Sequence, residues 1–339
     1  MNAELNELLP ILLPETKRIA IEAGKKIMLI FNQDFQVDYK EDTSPVTEAD
    51  LAANSYIIEE LKKLSGDFPI LTEEEAKLSF AERSSWETYW LVDPLDGTKE
   101  FIEHENGFTV NIALIHQHKP VLGAIYAPVF ETSYYACQGQ GAFKERNNEE
   151  QGKKITVRAL TERPILAVSR SHAKGDLLAF IENIGEHDII RTGSSLKMCY
   201  VAEGTADLYP RLWLTSEWDT GAAHCIVNEA GGRLVQTDMT PLLYNTKDSL
   251  LNPYFFTIGG NDHDWMQYLP EKKSMKLPAI HEEVPLAKIK QICEFYNLPD
   301  LWKKIKKDPP ALAFSSDGCT LWPDSTGGKN IYPACFLHD

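Results

Sequence analysis

The stretch between residues 107 and 143 constrains the fold more than any other part of the sequence. It contains four short apolar runs that are separated by Gly, Pro and polar residues. Runs of this length with turn residues between them predict consecutive antiparallel strands. Apolar runs at residues 68–71 and 89–92 predict two more strands before this meander. The first half of the chain is therefore expected to contain an antiparallel sheet.

Helical and strand patterns alternate in the second half of the chain. Apolar residues spaced by three or four, with Gly at the ends, predict helices, and short apolar runs between them predict strands. The predicted helices of the whole chain cover residues 3–31, 47–64, 171–185, 193–204 and 219–230. The predicted strands of the second half cover residues 165–169, 206–211, 232–236 and 254–260. This mixture indicates layered helices and sheets in two halves.

The pattern divides the chain into three predicted parts. Residues 1–160 form an N-terminal α+β half with the candidate site, and residues 161–265 form an α/β half that completes it. Residues 266–339 begin with a Lys- and Pro-containing stretch that is typical of a linker. The role of this last part is not assigned.

Charge and apolar patterning exclude several classes of protein. The chain carries 34 Lys and Arg against 50 Asp and Glu, a formal net charge of −16. Broad binding to nucleic acid requires a positive field, so no nucleic-acid partner is expected. No apolar run is long enough for a transmembrane helix, and the N-terminus lacks the pattern of a signal peptide. The six scattered cysteines favour reduced thiols. We therefore expect a cytoplasmic protein.

Four acidic segments follow apolar runs or begin helices, and the third is the most informative. Asp93 and Asp96 are separated by Pro94, which a regular helix interior does not accept, so both aspartates can turn inward at one loop. Gly97 permits close approach of the backbone, and a short helix beginning at Thr98 would offer N–H groups to a phosphate. The four segments are residues 45–50, 70–75, 90–98 and 217–223.

Several carboxylates with no cluster of His or Cys ligands suit Mg²⁺. Two or three such ions suit phosphate ester hydrolysis, because one lowers the pKa of an attacking water and another stabilises the leaving oxygen. Each segment also has a purely structural interpretation. These are an N-cap at Asp219, a capping box of Thr47 and Asp50, an exposed charge run at residues 73–75 and a turn at residues 93–97. Their joint occurrence favours the metal site.

These segments resemble the motifs of the lithium-sensitive, Mg²⁺-dependent phosphatases related to inositol monophosphatase. The family motif D-P-[LI]-D-G-T after a strand is similar to residues 90–98, and the motif from W-D to A-G-G is similar to residues 218–232. The resemblance covers about residues 5–262. It implies an α+β fold, the layered α-β-α-β-α sandwich of that family.

Within the family, the chain most resembles the CysQ-type 3′(2′),5′-bisphosphate nucleotidases. The similar stretches are residues 43–47, 89–102, 169–172 and 193–197. The resemblance implies removal of the 3′-phosphate of adenosine 3′,5′-bisphosphate, with adenylyl-sulfate 3′-phosphate as a second substrate. It also implies inhibition by Li⁺ and a weak, peripheral association with the inner membrane. The oligomeric state stays open.

The resemblance assigns roles to individual residues. It implies that Mg²⁺ is bound by Glu73, Asp93, Asp96, Asp219 and the Leu95 carbonyl, with Glu74 near a third ion. Glu73 and Thr98 would position and help deprotonate the attacking water, and Asp50 would orient Thr98 through a hydrogen bond. The implied substrate-binding residues are Glu73, Leu95, Asp96, Gly97, Thr98, His172, Ser194, Lys197, Arg211 and Asp219.

The nucleotide side of the site rests on fewer features. Ser194 and Lys197 are three residues apart, so they share one face of a helix, near whose start they can contact a phosphate. His172 and Arg211 match positions that contact the nucleotide in relatives. Their structural interpretation is an exposed His at a helix start and a surface Arg. Lys40 is expected to lie over the metal site.

Two alternatives stay open. One is an inositol or sugar monophosphatase with the same metals and a different pocket. The other is a catalytically inactive binding or scaffold protein with a lipid-facing tail. Residues 317–339 resemble, over a short stretch, the loop and the C-x-x-H-D signature of phospholipase A2-like proteins. The later part of that signature helix is missing, so lipase activity is not expected.

Overall fold

A seven-stranded sheet forms the centre of the first half of the chain. Its strand order is β3-β4-β5-β6-β7-β8-β9, and every pair is antiparallel except β3 with β4. The predicted meander is confirmed as β5 to β8. The strands are β3 (Ile70–Thr72), β4 (Thr88–Asp96), β5 (Thr109–His116), β6 (Lys119–Ala127), β7 (Thr132–Cys137), β8 (Gly141–Arg146) and β9 (Lys153–Ile155), after a hairpin of β1 (Val37–Tyr39) and β2 (Pro45–Thr47).

A five-stranded sheet follows in the second half. Its order is β11-β10-β12-β14-β13, with parallel pairing around β10 and antiparallel pairing around β14. The strands are β10 (Ile165–Ser169), β11 (Asp188–Thr192), β12 (Leu208–Arg211), β13 (Arg233–Gln236) and β14 (Phe255–Ile258). The four strands predicted for this half are all present, and β11 is an addition that the sequence patterns did not indicate.

The helices form layers on and between the sheets. They are α1 (Ala3–Phe31), α2 (Glu48–Leu61), α3 (Phe80–Arg83), α4 (Thr98–Ile102), α5 (Asp176–Ile184), α6 (Leu196–Ala202) and α7 (Glu217–Glu229). Alternate residues of β4 face opposite layers, because side chains of a strand point to opposite faces in turn. Trp90 packs in the core with α1 and α2, whereas Leu91 packs with α6 and α7. Phe256 and α5 close the outer face of the five-stranded sheet. The expected α-β-α-β-α sandwich is confirmed.

Helix α7 lies directly against β6, and a glycine makes this approach possible. A Cβ atom on Gly123 would lie 2.3 Å from the carbonyl oxygen of Ala222. Real Cβ atoms do not approach a carbonyl oxygen so closely, so any larger residue would push the helix away from the sheet. The contact matters for function because α7 carries Asp219.

This computed structural model describes residues 3–33, 35, 37–39, 45–76, 78–147, 149–170, 175–260 and 262–270. Lys40, His172 and residues 271–339, with the phospholipase-like stretch, lie outside the described residues. In the part that is described, no helix combines the length and apolar character that crossing a membrane requires. The predicted boundaries at residues 160 and 265 stay predictions.

Candidate metal and substrate site

The end of β4 is bulged at the acidic motif. Asp93 is paired with Asn111 and Asp96 with Thr109, so two residues of β4 oppose one residue of β5. Pro94 explains the irregularity, because it has no N–H to donate to the ladder. Gly97 then adopts a left-handed conformation at φ 97° and forms the N-cap of α4. The predicted short helix at Thr98 is confirmed, whereas the expected loop is wrong, because Asp93 and Asp96 lie on the bulged end of β4.

Three carboxylates from separate elements meet beside this bulge. Oxygen atoms of Glu73, Asp93 and Asp219 all lie within 4.8 Å of one another. Glu73 begins a short 3₁₀ turn directly after β3, which runs parallel to β4, so the carboxyl ends of both strands meet at one edge of the sheet. Asp219 reaches this edge from the first turn of α7.

Burial and mutual repulsion make this cluster unfavourable as bare carboxylates. Burial raises the pKa of Asp93 well above its ordinary value, and the charges of Glu73, Asp96 and Asp219 raise it further. Burial, with repulsion from Asp96 and Glu73, raises the pKa of Asp219 to about 8. Burial also raises the pKa of Asp96 to about 6. Oxygen donors that repel one another in this way fit a hard divalent cation.

Asp50 combines the two roles that the sequence left as alternatives. Its Oδ2 accepts hydrogen bonds from the backbone N–H of Thr47 at 2.8 Å and from the Thr47 hydroxyl at 2.6 Å, which completes a capping box for α2. Its Oδ1 accepts a hydrogen bond from the Thr98 hydroxyl at 3.0 Å. The predicted hydrogen bond to Thr98 is therefore present, and so is the capping box.

Two structural interpretations of the acidic segments are wrong. Asp219 is not an N-cap: Ser216 is the N-cap of α7, and Asp219 is the third residue of the helix, where its Oδ2 accepts from the Ser216 N–H at 2.9 Å. The glutamates at residues 73–75 are not a fully exposed run, since Glu73 and Glu74 are half-buried. The carboxylate of Asp219 can cap a helix through one oxygen and still belong to the acidic cluster.

A cavity of about 120 Å³ adjoins the cluster and shares Asp219 with it. Residues of the predicted substrate-binding set line it together with residues outside that set. The predicted ones are Asp96, Gly97, Ser194, Lys197, Arg211 and Asp219. The additional ones are Glu100, Ser169, Ser195, Met198, Tyr209, Thr215, Thr220 and Phe255.

Lys197 brings a buried cation to this cavity. Its side chain is only 5% exposed, and its Nζ donates a hydrogen bond to the Ser194 carbonyl at 2.6 Å and lies 5.4 Å from the centre of the Tyr209 ring. Burial lowers the pKa of Lys197 to about 8, against the charge of Asp96, which raises it. Ser194 has a left-handed φ of 47°, so the predicted helix at residues 193–204 begins at Leu196.

Arg211 lines the cavity at the end of β12 and also fixes a loop. Its Nε donates to the Trp213 carbonyl at 3.2 Å, and its Nη2 donates to the Leu214 carbonyl at 2.7 Å. It is therefore not the free surface Arg of the structural interpretation. The position of His172 relative to the cavity lies outside what the structure describes.

This arrangement of carboxylates and cavity agrees with the comparisons to known proteins. A model of the Inositol monophosphatase family matches residues 12–265. The chain belongs to the inositol monophosphatase family. Members of this family are metal-dependent phosphatases that generally use Mg²⁺. The match ends before the C-terminal segment, so the phospholipase-like stretch has no support.

Three relatives within the inositol monophosphatase family show the extent of the similarity. The 3′(2′),5′-bisphosphate nucleotidase CysQ of Salmonella typhimurium is 46% identical, over 72% of this chain and 98% of the relative. The crystal structure of CysQ from Bacteroides thetaiotaomicron is 39% identical with a TM-score of 0.64, covering 72% of this chain and 95% of that one. The inositol monophosphatase structure from Anabaena is 25% identical with a TM-score of 0.63, covering 77% and 97%.

The apolar residues of the cavity that sequence reasoning missed share one property. Tyr209 and Phe255 are almost fully buried, and Met198 lies inside α6. Side chains of this kind are typical of a hydrophobic core, and no local pattern separates a core residue from one that borders a cavity. Thr215 gave only the weak signal of a hydroxyl close before a helix start.

Proposed function

We propose that this chain is a Mg²⁺-dependent 3′(2′),5′-bisphosphate nucleotidase that hydrolyses the 3′-phosphate of adenosine 3′,5′-bisphosphate. One observation carries the proposal: the cluster of Glu73, Asp93 and Asp219 adjoins a cavity with a buried lysine, and Asp219 belongs to both. A metal cluster suits hydrolysis of a phosphate ester, and a buried cation suits a substrate with a second phosphate. The similarity to CysQ nucleotidases at 46% identity supports this choice of substrate.

The carboxylates of Glu73, Asp93, Asp96 and Asp219, with the Leu95 carbonyl, would hold the ions. When bound, Mg²⁺ would neutralise charge on the phosphate oxygens and lower the pKa of an attacking water. Asp96 and Asp219 also line the cavity, so the substrate phosphate would meet the ions at that side of the cluster.

The pair of Asp50 and Thr98 would orient the attacking water. The Thr98 hydroxyl donates a hydrogen bond to Asp50 Oδ1, so the hydroxyl oxygen of Thr98 remains able to accept a hydrogen bond from water. A water held in this way can lose its second proton to a neighbouring carboxylate, for which Glu73 is the candidate. Asp50 acts through Thr98, and its own position is fixed by the capping box of α2.

Backbone and side-chain donors would bind the two phosphates. Gly97 and Thr98 stand at the start of α4, where N–H groups have no acceptor within the helix, and would bind the scissile phosphate. Ser194, Lys197 and Arg211 would bind the nucleotide and its remaining phosphate. His172 belongs to the same proposed set and lies outside the described residues.

Several finer properties belong to the proposal. We infer that two or three Mg²⁺ ions bind, that Li⁺ inhibits, and that adenylyl-sulfate 3′-phosphate is also hydrolysed, as expected for an enzyme of sulfate assimilation and nucleotide recycling. The cytoplasmic location stays a prediction from the sequence patterns, and the weak, peripheral membrane association stays a prediction from the resemblance.

The test is phosphate release from adenosine 3′,5′-bisphosphate and from inositol 1-phosphate, each with Mg²⁺ and with EDTA. We expect release that depends on Mg²⁺ and favours the nucleotide. A preference for inositol 1-phosphate would keep the metal site and replace the proposed substrate. No release of phosphate from either substrate by folded protein would favour the inactive binding protein.

A further inference from the structure

A buried chain of polar side chains links two parts of the site. One is the loop of residues 193–195, which we call the cavity loop, and the other is the metal edge, where the carboxyl ends of β3 and β4 meet. Thr109 and Asn111 on β5 and Ser195 before α6 are each no more than 1% exposed. The Ser195 hydroxyl donates to Asn111 Oδ1 at 2.8 Å and lies 2.9 Å from the Thr109 hydroxyl. The Asn111 amide Nδ2 donates to Asp96 Oδ2 at 3.3 Å. We call these three residues the Asn111 clamp.

The chemistry of the end groups sets the direction of these hydrogen bonds. An ionised Asp96 carboxylate can only accept, so the amide nitrogen of Asn111 faces it and the amide oxygen faces the hydroxyls. The hydroxyl of Ser195 then donates to Asn111, and the hydroxyl of Thr109 donates to Ser195 or Asn111. Reversing the Asn111 amide would place its oxygen against the Asp96 carboxylate and its N–H groups against the hydroxyls, so the contact with Asp96 would be lost.

The backbone of the cavity loop is anchored at the same place. The Ser195 N–H donates to Asp96 Oδ2 at 2.6 Å, a charge-assisted bond. A Cβ atom on Gly193 would lie 2.6 Å from the Gly107 carbonyl oxygen, so the loop rests on residue 107 with no space for a side chain. Both bonds to Asp96 use Oδ2, so neither of them occupies Oδ1.

The clamp connects groups that have different proposed functions. Asp96 is a proposed metal ligand, whereas Ser194 and Lys197 flank Ser195 and line the cavity. A shift of Ser195 would therefore move both the Asp96 carboxylate and the residues that meet the nucleotide. Bonds to ligating carboxylates orient them, and removing such a partner typically costs about 10-fold to 100-fold in metal affinity or activity.

We propose that Asn111 is a positioning residue that couples metal binding to nucleotide binding, acting through Asp96 on one side and Ser195 on the other. The coupling rests on the proposed function, because it needs a nucleotide in the cavity. The positioning of Asp96 does not depend on the identity of the substrate.

The experiment measures two quantities on the full chain. Affinity for Mn²⁺, used as a paramagnetic substitute for Mg²⁺, is measured by electron paramagnetic resonance without substrate. The KM and kcat for adenosine 3′,5′-bisphosphate are measured separately with Mg²⁺. We expect Asn111→Ala to weaken Mn²⁺ binding about 10-fold or more and to raise KM as well. We expect Ser195→Ala to shift both quantities in the same direction.

The effects of substitutions within one clamp should not be additive. Asn111→Ala and Ser195→Ala break the same bond, so the double variant should be little worse than Asn111→Ala alone. Two independent structural roles would instead give effects that multiply. Circular dichroism and thermal unfolding establish that each variant is folded.

Two milder substitutions at Thr109 test the same proposal if Asn111→Ala does not fold. Thr109→Val removes one hydroxyl at nearly constant shape, and we expect the affinity for Mn²⁺ to fall severalfold. Thr109→Ser retains the hydroxyl, so its affinity for Mn²⁺ should stay close to that of wild type. Thr257→Val is the matched control, since the buried hydroxyl of Thr257 has no hydrogen-bond partner within the described residues. This control should change neither quantity.

Three further results would overturn the inference. Folded Asn111→Ala with Mn²⁺ affinity and KM within about twofold of wild type would remove the positioning role. Weaker Mn²⁺ binding with unchanged KM would remove the coupling. Equal behaviour of Thr109→Val and Thr109→Ser would remove the clamp. If wild-type protein neither binds nor hydrolyses the nucleotide, the proposed function fails, while a Mn²⁺ shift in Asn111→Ala still supports the positioning of Asp96.

Discussion

The metal edge of the seven-stranded sheet and the cavity wall that faces it are assembled in different ways. At the edge, Asp93, Asp96 and Thr98 come from six consecutive residues, and the bulge at Pro94 gathers them locally. The wall takes Lys197 from α6, Arg211 from β12 and further residues from other elements. We therefore expect hydrolysis to depend on this local motif together with Glu73 and Asp219, which join it from other elements, and selection of the substrate to depend on how distant segments pack.

The two regions also differ in charge. The edge concentrates carboxylates whose burial and repulsion raise the pKa of Asp93 and Asp219. The wall brings buried or half-buried cations, Lys197 and Arg211. Changes at the edge should affect every phosphate ester alike, whereas changes at the wall should alter the ratio between substrates. The predictions that follow test this difference.

The largest effect is expected at Asp93. Asp93→Asn removes a proposed metal ligand from the centre of the cluster and should lower kcat by several orders of magnitude for both substrates. The fold should survive, because the change relieves repulsion between buried carboxylates. Turnover at saturating Mg²⁺ and thermal unfolding with EDTA measure both effects, and Asp262→Asn, at a fully exposed aspartate, is the control. Near-normal turnover of Asp93→Asn would remove the metal assignment.

The next effect separates two hydroxyls that donate to the same carboxylate. Thr98→Val removes the bond to Asp50 Oδ1, and we expect kcat to fall about 100-fold, the scale of one acid–base contribution. Thr47→Val removes the bond to Oδ2, and we expect it to cost about 1 kcal/mol of stability, as loss of a cap does, with activity largely retained. Steady-state kinetics and thermal unfolding of both variants measure the losses of kcat and of stability. Equal losses of kcat in the two variants would show that Asp50 does not act through Thr98.

A smaller effect concerns stability and pH in the metal-free protein. Asp96 and Asp219 have folded pKa values of about 6 and about 8, raised from 3.8. Between pH 4 and pH 8 the folded state therefore binds protons that the unfolded state has released, so stability falls as pH rises. With EDTA, Tm should drop by several degrees from pH 5.5 to pH 8. Mg²⁺ should offset the drop, and Asp219→Asn should flatten it. A Tm that rises across this range would contradict the electrostatic account of the edge.

Much of the fold and of the edge could be predicted from local sequence. Helix α1 covers the predicted residues 3–31, and the antiparallel meander and the strand of residues 165–169 occur as expected. These features depend on periodicity and turn residues, which short segments carry by themselves. The bond from Thr98 to Asp50 was also expected, but from the family resemblance rather than from spacing.

The wall and the clamp could not be predicted in the same way. Phe255 and Tyr209 have the sequence character of ordinary core residues, and their place at the cavity depends on pairing between β12 and β14. Asn111 lies inside an apolar strand with no local sign of a bond to Asp96. Two tertiary features bring Asn111, Asp96 and Ser195 together. They are the register shift between β4 and β5 and the contact of the cavity loop with Gly107.

The most direct test of the division between edge and wall compares the catalytic efficiencies of Lys197→Gln for two substrates. The kcat/KM for adenosine 3′,5′-bisphosphate is divided by that for inositol 1-phosphate, at the same Mg²⁺ concentration, in the variant and in wild type. Loss of a charge-assisted bond should lower this ratio about tenfold, mainly through the KM for the nucleotide. An unchanged ratio, with both efficiencies falling together, would place Lys197 with the metal edge and contradict the account.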